Sequence, residues 1–501
     1  MASWPTFLIQ LVHEKPAAIA FADASGDISR EDLLNRIALW SSLLIRRGVL
    51  SGDRIMLALP PGLDAWVALL AALGAGATAI PMDAQAGDIR RLVRAWRPSL
   101  CISSEMFQSL MDEAGIDQDR RIEIESLPRK WPRKGERAGP GYMRGHGDIE
   151  PFRFASRGQI LLAGGHVSFS ELGCLHGVEA VFANARQLFQ RLALAPDLAG
   201  LVTASPAHWA GLVFGLGLLE AGRPVWLADG QNAECLSHLP EEAGPLACFS
   251  TLEQWRRCLG ASKKHECQWP IRHLVTTSGM ASAELFRQTR SLPTAPRVDL
   301  IHGTARTLAL TRLSLGADPP LPGCIGHPLP GVNVRVMRHP QQEARPGQPG
   351  YLAHERTSCL LYLSGKDATD VSPEEPHLDQ GEIGWRDFEG CLFRLPSPKD
   401  LIRTAGRVLV PETLEQQILD SGLVDEAYAF GVPHPHLQEA VVLVAVARPR
   451  VTPHQLRQFC RASMPDFMVP YRIELHPSLP AAALARSGRD FLRLRYAGLY
   501  R

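Results

Sequence analysis

Apolar and polar positions along the first hundred residues alternate between two periods. In ISREDLLNRIALWSSLLIRRGV, beginning at Ile28, Leu33, Leu34, Ile37, Ala38 and Trp40 recur at the spacing of one helical face, and Gly48 ends the run. SGDRIMLALPPG follows, a Gly-Asp turn feeding an apolar strand that Pro60 and Pro61 stop. LDAWVALLAALGAGATAIPMD then predicts a helix, a Gly-Ala-Gly stop and a buried strand closed by Pro81. GDIRRLVRAWRPS and LCIS repeat the unit. Strand, helix and strand in succession argue for a parallel sheet with helical crossovers.

Residues 128–158 interrupt this order. The segment is basic, rich in Pro and Gly and without apolar period, and it reads as a loop or linker. A helix from Val178 to Leu194, an apolar strand with ASPAHWAGLVFGLGLLEAG, and VWLAD resume the alternation. RHLVTTSG and VDLIHGT read as buried strands ending in Gly and small polar residues, the type of strand exit that lines ligand crevices. GCIGHPLPGVNVRVM and GQPGYLAHE are short strands bounded by Pro and Gly and suit a small β-subdomain. Beyond Leu395 come a further β/α unit, a hairpin (LVDEAYAFGVPHPHLQEAVVLVAVA) and a helix (TPHQLRQFCRASM). The expected fold is α/β. A large N-terminal domain (1–395) has parallel-rich sheets, flanking helices and the β-subdomain, and a small hinged α+β domain (396–501) follows.

Composition changes the picture little. A chain of 501 residues exceeds one ordinary core. Its 53 basic and 52 acidic side chains leave a net charge of +1, which gives no electrostatic reason to expect a nucleic-acid partner. The 10 cysteines stand singly, without zinc-ribbon or Cys-x-x-Cys spacing, which predicts free thiols in a reducing compartment. The longest apolar run, Ala65 to Ile80, is short for a membrane span. The first residues lack a basic leader with an apolar core. A soluble, cytoplasmic protein is the expectation.

The segment DLIRTAGRVLVPETLE, Asp400 to Glu415, combines a strand, an Ala-Gly turn, a second strand and a Pro-opened helix. It resembles the hinge and turn that open the C-terminal domain of adenylate-forming enzymes: acyl-CoA synthetases, luciferases and peptide-synthetase adenylation domains. Gly52, Asp53, Arg54, Gly76 and Pro81 resemble that family's N-terminal order, and MPDFMVP resembles a segment near its C-terminus. The resemblance implies activation of a small-molecule carboxylic acid with ATP and Mg2+ to an acyl-adenylate. Transfer to CoA or to a phosphopantetheine-bearing acyl carrier protein would follow.

Site residues follow from the same resemblance. The phosphate loop has two candidates, FASRGQ with Ser156, Arg157 and Gly158, and AGGHVS from Ala163 to Ser168; neither carries the family's lysine, and either could be an ordinary turn. Pro206, His208 and Gly211 resemble a corner beside the acyl pocket, where His208 is either a pocket residue or a helix-capping or core histidine. TTSGMAS, with Ser278 and Gly279, resembles the loop against adenine. His302, Gly303 and Thr304 fall where an aromatic residue stacks on adenine. Arg306 replaces the magnesium-binding glutamate, and a guanidinium ligates no cation, so no residue is assigned to metal. It holds an anion or forms a salt bridge.

Glu382 takes the place of the ribose-binding aspartate, and is either that ligand or a surface carboxylate. Ser397 replaces a ribose-contacting arginine. Lys399 and Asp400 fit the hinge, or are solvated linker charges, and Arg489 stands at the catalytic lysine. Two functions fit this pattern. One is an adenylate-forming ligase homologue of impaired or atypical activity. The other is a catalytically inactive pseudoenzyme that binds an acyl group, a carrier protein or a partner enzyme.

Overall fold

A computed structural model describes residues 4–82, 89–127, 155, 158–162, 171–230, 232, 236, 243–265, 269–277, 286, 289–316, 321, 323–339, 342–354, 359–364, 367–369, 377–396, 400–477, 488–496 and 498–499. The described strands form sheets of 14, 8 and 5 strands. In the 8-stranded sheet, Arg54–Ala58 pairs in parallel with Thr78–Pro81 on one side and Leu100–Ser103 on the other. Helices Arg30–Arg46, Leu63–Gly74 and Ile89–Trp96 alternate with them as the periodicity predicts. Ser29 caps the first of these, accepting a hydrogen bond from the Asp32 N–H.

The 14-stranded sheet holds a second parallel run. Val225–Leu227, Ala199–Val202, Leu246–Phe249, Ile271–Thr277 and Arg297–Thr304 lie side by side in that order. The small β-subdomain is continuous with this sheet. Leu308–Ser314 pairs antiparallel with Cys324–Pro328, which carries the chain of hydrogen bonds on to Leu392–Leu395, His377–Arg386, Gly350–His354 and Val334–His339.

One segment departs from its expected strand. Within ASPAHWAGLVFGLGLLEAG, Trp209–Glu220 is a helix, buried at every position from Trp209 to Leu219. A helix covered on all sides has no polar face, so its sequence carries no 3.6-residue period to detect. Its glycines serve packing: a Cβ on Gly215 would lie 2.4 Å from the Trp66 ring.

Alternation along each strand explains the layering. Ile55 and Leu57 join a central core with helices Leu63–Gly74 and Trp209–Glu220 and with Val202, Phe249 and Val275 of the larger sheet. Met56 and Ala58 point the other way, against Leu92, Trp96 and Met111. Leu201, Cys248 and Leu274 face outward onto the helix Leu252–His265, through Trp255 and Leu259. Helices therefore lie between the two sheets and outside each of them.

The 5-stranded sheet belongs to the smaller C-terminal domain. Val424–His434 and Gln438–Ala447 form its long hairpin. Val441, Leu443 and Ala445 face helices Pro411–Asp420 and Pro453–Ser463, whereas Val442 and Val444 face Leu492 and Tyr496 of helix Gly488–Tyr496. The Ala-Gly turn closes with Ala405 and Gly406 both left-handed (φ 47° and 72°), the geometry a two-residue hairpin needs. The domains meet where Arg256 of the helix Leu252–His265 lies in the field of Glu426, Tyr428 and Asp420, and burial there lowers its pKa. No described helix is long and apolar enough to cross a membrane.

A buried ion cluster joins three strands of the larger sheet. His273 Nε2 donates to Asp299 Oδ2 at 2.6 Å, and Arg312 approaches Asp299 Oδ1 at 2.7 Å. Burial opposes ionisation of Asp299, but the His273 hydrogen bond and the Arg312 charge override it and lower its pKa from 3.8. A depressed carboxylate stabilises the fold above its unfolded pKa, and that contribution is lost as pH falls through the lower folded value. Asp299→Asn is expected to destabilise the large domain at neutral pH by about 3–5 kcal/mol, because it leaves the buried Arg312 guanidinium without its partner charge. Urea unfolding should show the gap to the parent chain narrowing below the ordinary carboxylate pKa. An unchanged gap would exclude Asp299 as its source.

Candidate active site

The carboxyl ends of the larger sheet's parallel strands bring several of the sequence candidates together. His208 ends the loop after Ala199–Val202 and is the N-cap of helix Trp209–Glu220. Its Nδ1 accepts from the Ala210 and Gly211 N–H groups at 3.2 and 3.4 Å. An accepting Nδ1 carries no proton, so the neutral ring is the Nε2–H tautomer. The ring packs near Trp209 and Phe249, with centroids 6.0 and 5.8 Å away, and remains partly exposed. The capping alternative for His208 is thus realised, and it leaves Nε2 as the polar edge for other contacts.

Trp209 connects this corner to the end of strand Arg297–Thr304. A Cβ on Gly303 would lie 3.0 Å from the Trp209 ring and 1.8 Å from the Leu308 carbonyl oxygen, so no side chain fits at that position. Thr304 builds the following turn, its Oγ1 accepting from the Arg306 and Thr307 N–H groups at 3.2 Å each. His302 and Glu382, 80 positions apart, are both buried and meet at 3.1 Å through His302 Nε2. A carboxylate only accepts, so His302 Nε2 carries the proton. Glu382 is therefore no surface carboxylate; it bonds the histidine that the resemblance sets beside adenine.

Two contacts here were not read from the sequence. His176, fully buried on the strand Glu171–Gly177, reaches the Ala305 carbonyl with Nε2 at 2.6 Å and anchors the turn at Thr304. Thr276 is buried at the exit of Ile271–Thr277, and its Oγ1 has no hydrogen-bond partner among the described residues. The first left no signal, because a single histidine has no spacing to interpret. Thr276 opens TTSGMAS, the segment that resembles the loop against adenine, but its hydroxyl was not singled out there.

Gly158 precedes the strand Gln159–Leu162. A Cβ there would lie 2.9 Å from the Leu73 side chain and 3.1 Å from its backbone, so Gly158 permits close packing against the helix Leu63–Gly74. Ser156, two residues earlier, lies outside the described residues. So do the second phosphate-loop candidate (163–168, between Gln159–Leu162 and Glu171–Gly177), Ser278, Gly279, Ser397 and Lys399.

Among the described residues no group of three or more His, Cys, Asp or Glu could hold a metal ion, and Glu382 is engaged by His302. Magnesium at a nucleotide is held by one or two carboxylates together with phosphate oxygens and water, so such a cluster is not what its site requires.

In the smaller domain, Arg489 begins the helix Gly488–Tyr496 and turns toward its own domain. Its Nη2 contacts both Glu415 oxygens at 3.0 and 2.9 Å, its Nη1 lies 2.8 Å from Glu412, and its Nε donates to the Ala429 carbonyl. Tyr428 lies under the guanidinium at 5.9 Å. Burial alone would lower the Arg489 pKa, but Glu415 and Glu412 override it and hold the group above its ordinary range. Glu415 is raised because burial outweighs the guanidinium. Asp400 is held by the same helix: Arg493 donates to its carbonyl at 3.1 Å and lies 3.9 Å from its carboxylate. Arg394, from the last strand before the hinge, lies in the field of Glu412, Arg489 and Asp400.

Known proteins share this architecture and parts of the sequence. The family model described as AMP-binding enzyme matches residues 10–138, and that for the AMP-binding enzyme C-terminal domain matches 413–488. A long-chain-fatty-acid–CoA ligase of Escherichia coli is 32% identical over 173 residues, 34% of this chain and 31% of the ligase. An oxalate–CoA ligase of Saccharomyces cerevisiae is 24% identical over 232 residues, 45% and 42% of the two chains. The aligned region thus spans about a third of the first of these and under half of the second. Among solved structures, o-succinylbenzoate coenzyme A synthetase of Bacillus subtilis in complex with AMP superposes with a TM-score of 0.79 at 18% identity, covering 98% of each chain. ATP-bound MatB of Rhodopseudomonas palustris superposes with a TM-score of 0.74 at 18% identity, covering 99% of each. At that identity the structures establish the fold alone. Models of AMP-binding enzymes thus match both ends of the chain, CoA ligases share part of its sequence, and its two-domain fold is that of these synthetase structures.

Proposed function

We propose that this protein is an adenylate-forming ligase homologue that takes a small carboxylic acid into the crevice at His208. Its ATP-dependent activation of that acid, to an acyl-adenylate and then a thioester of CoA or a carrier protein, is impaired or atypical. The observation that carries this reading is convergence: the His208–Trp209 corner abuts Gly303, and the adjacent His302 binds Glu382. Residues scattered over the sequence are kept together at strand exits, which favours a retained ligand site. In this reading His302, Gly303, Thr304 and Glu382, with Ser278 and Gly279, face the nucleotide, and Arg489 supplies positive charge. Lys399 and Asp400 form the hinge between domains 1–395 and 396–501, and the protein works in the cytoplasm.

The second reading, an inactive pseudoenzyme that binds an acyl group, carrier protein or partner enzyme, is favoured by Arg489. Two carboxylates of its own domain hold the guanidinium, and it must leave both to meet a substrate. A charge committed in this way is poorly placed to follow charge developing on a reacting oxygen.

Calorimetry with ATP, with and without magnesium and candidate acids, separates the two. The ligase reading expects ATP binding that depends little on magnesium and slow pyrophosphate release with at least one acid. Arg306→Glu should then make release magnesium-dependent and raise it roughly tenfold or more. Absence of ATP binding under every condition would sink the ligase reading.

Arg489→Ala should destabilise the smaller domain by about 3–5 kcal/mol, by leaving Glu415 buried and unpaired. Adding Glu415→Gln should recover part of that loss in chemical denaturation. If the single variant releases pyrophosphate at the parent rate, Arg489 has no part in the chemistry.

A further inference from the structure

Cys324 and Cys391 stand 67 positions apart, and their Sγ atoms lie 3.2 Å from one another. Neither belongs to the crevice described above. Cys324 opens the strand Cys324–Pro328, and Cys391 immediately precedes Leu392–Leu395, its antiparallel neighbour. Backbone hydrogen bonds fix both ends: the Arg394 N–H donates to the Gly323 carbonyl at 2.7 Å, and the Cys391 N–H to Asp387 Oδ1 at 2.8 Å. The register shifts between Cys324 and Gly326, the kind of irregularity that re-aims side chains on a ladder. Closing the two sulfurs to a bond of about 2.05 Å needs a small side-chain movement on a scaffold already in place.

The two thiols differ in access and acidity. Cys324 is partly exposed and Cys391 is buried. The Cys391 hydrogen bond lowers the Cys324 pKa to about 7, and the same contact, with burial, raises that of Cys391 far above its ordinary value. Asp387 is the charged group facing the pair, and it opposes ionisation of both. A thiolate that is accessible, beside a second thiol that is not, is the arrangement of an attacking and a resolving cysteine.

We propose that Cys324 and Cys391 form a redox modification site at which a low-molecular-weight disulfide of the oxidised-glutathione class installs an intramolecular disulfide. The Cys324 thiolate attacks one sulfur of the oxidant, breaks its S–S bond and releases one small thiolate. Cys391 then gives its proton to solvent, attacks Cys324 Sγ in the mixed disulfide and expels the second small thiolate. Two protein thiols are oxidised, and one small disulfide is reduced to two thiols. The bond staples the strand Leu392–Leu395, which leads to Asp400, onto its neighbour Cys324–Pro328.

The test is treatment of the full native chain with oxidised glutathione, followed by alkylation and peptide mapping by mass spectrometry. The parent chain should lose two hydrogens and yield one cross-linked peptide pair containing Cys324 and Cys391, reversed by dithiothreitol. Cys391→Ser should stop at a stable glutathione adduct on Cys324. Cys324→Ser should form the cross-link not at all and any glutathione adduct at least tenfold slower than the parent, with circular dichroism and thermal melting confirming that both variants fold. A lasting glutathione adduct on Cys324 in the parent chain, or oxidation at other cysteines with this pair left reduced, would overturn the proposal.

Discussion

Two of the described helices have no polar side. Leu63–Gly74 is buried from Ala65 to Gly74, and Trp209–Glu220 from Trp209 to Leu219, so each must be covered over its whole circumference. One sheet covers one face of a helix, and a second sheet is needed for the other. The central core accordingly draws on both large sheets at once, with Ile55 and Leu57 from one and Val202 and Phe249 from the other. This burial requirement sets the layer order of the large domain. It also places the N-terminus of Trp209–Glu220 beside the strand exits, where His208 caps it.

The crevice is unusual for how its polar groups are spent. His302 bonds Glu382, Thr304 bonds the turn that follows it, and His176 holds the Ala305 carbonyl. In the smaller domain Arg489 is divided between Glu412 and Glu415. Each contact satisfies a buried group that would otherwise be costly to leave dry. A ligand that bonds these groups must replace their existing partners, whereas the Thr276 hydroxyl has none among the described residues.

The sequence was most legible where an element has one wet face. Helix Arg30–Arg46 and the strands from Arg54 to Ser103 show their periods plainly, and the structure places them as expected. Trp209–Glu220 was misread because complete burial erases the period. The hinge segment was legible through turn chemistry, since Ala405–Gly406 and Pro411 each take the backbone geometry their residue types suggest. Site contacts were less legible. Glu412 and Glu415 are visible in PETLE, but their meeting with Arg489 some 74 positions later leaves no local trace. Gly158 was a phosphate-loop candidate by resemblance alone, and its close packing on Leu73 is a contact that only the tertiary arrangement reveals.

Arg489 and Arg493 sit four residues apart on one short helix, one turn of separation. The first is bound to Glu412 and Glu415 of the helix Pro411–Asp420, the second to Asp400, which precedes the domain's first hairpin. The short helix that carries both arginines is therefore a strut fastened at two points of the smaller domain. One helical turn sets the spacing of the two fastenings, so a shift of Asp400 and a shift of the Glu412–Glu415 turn are coupled through a single short rod.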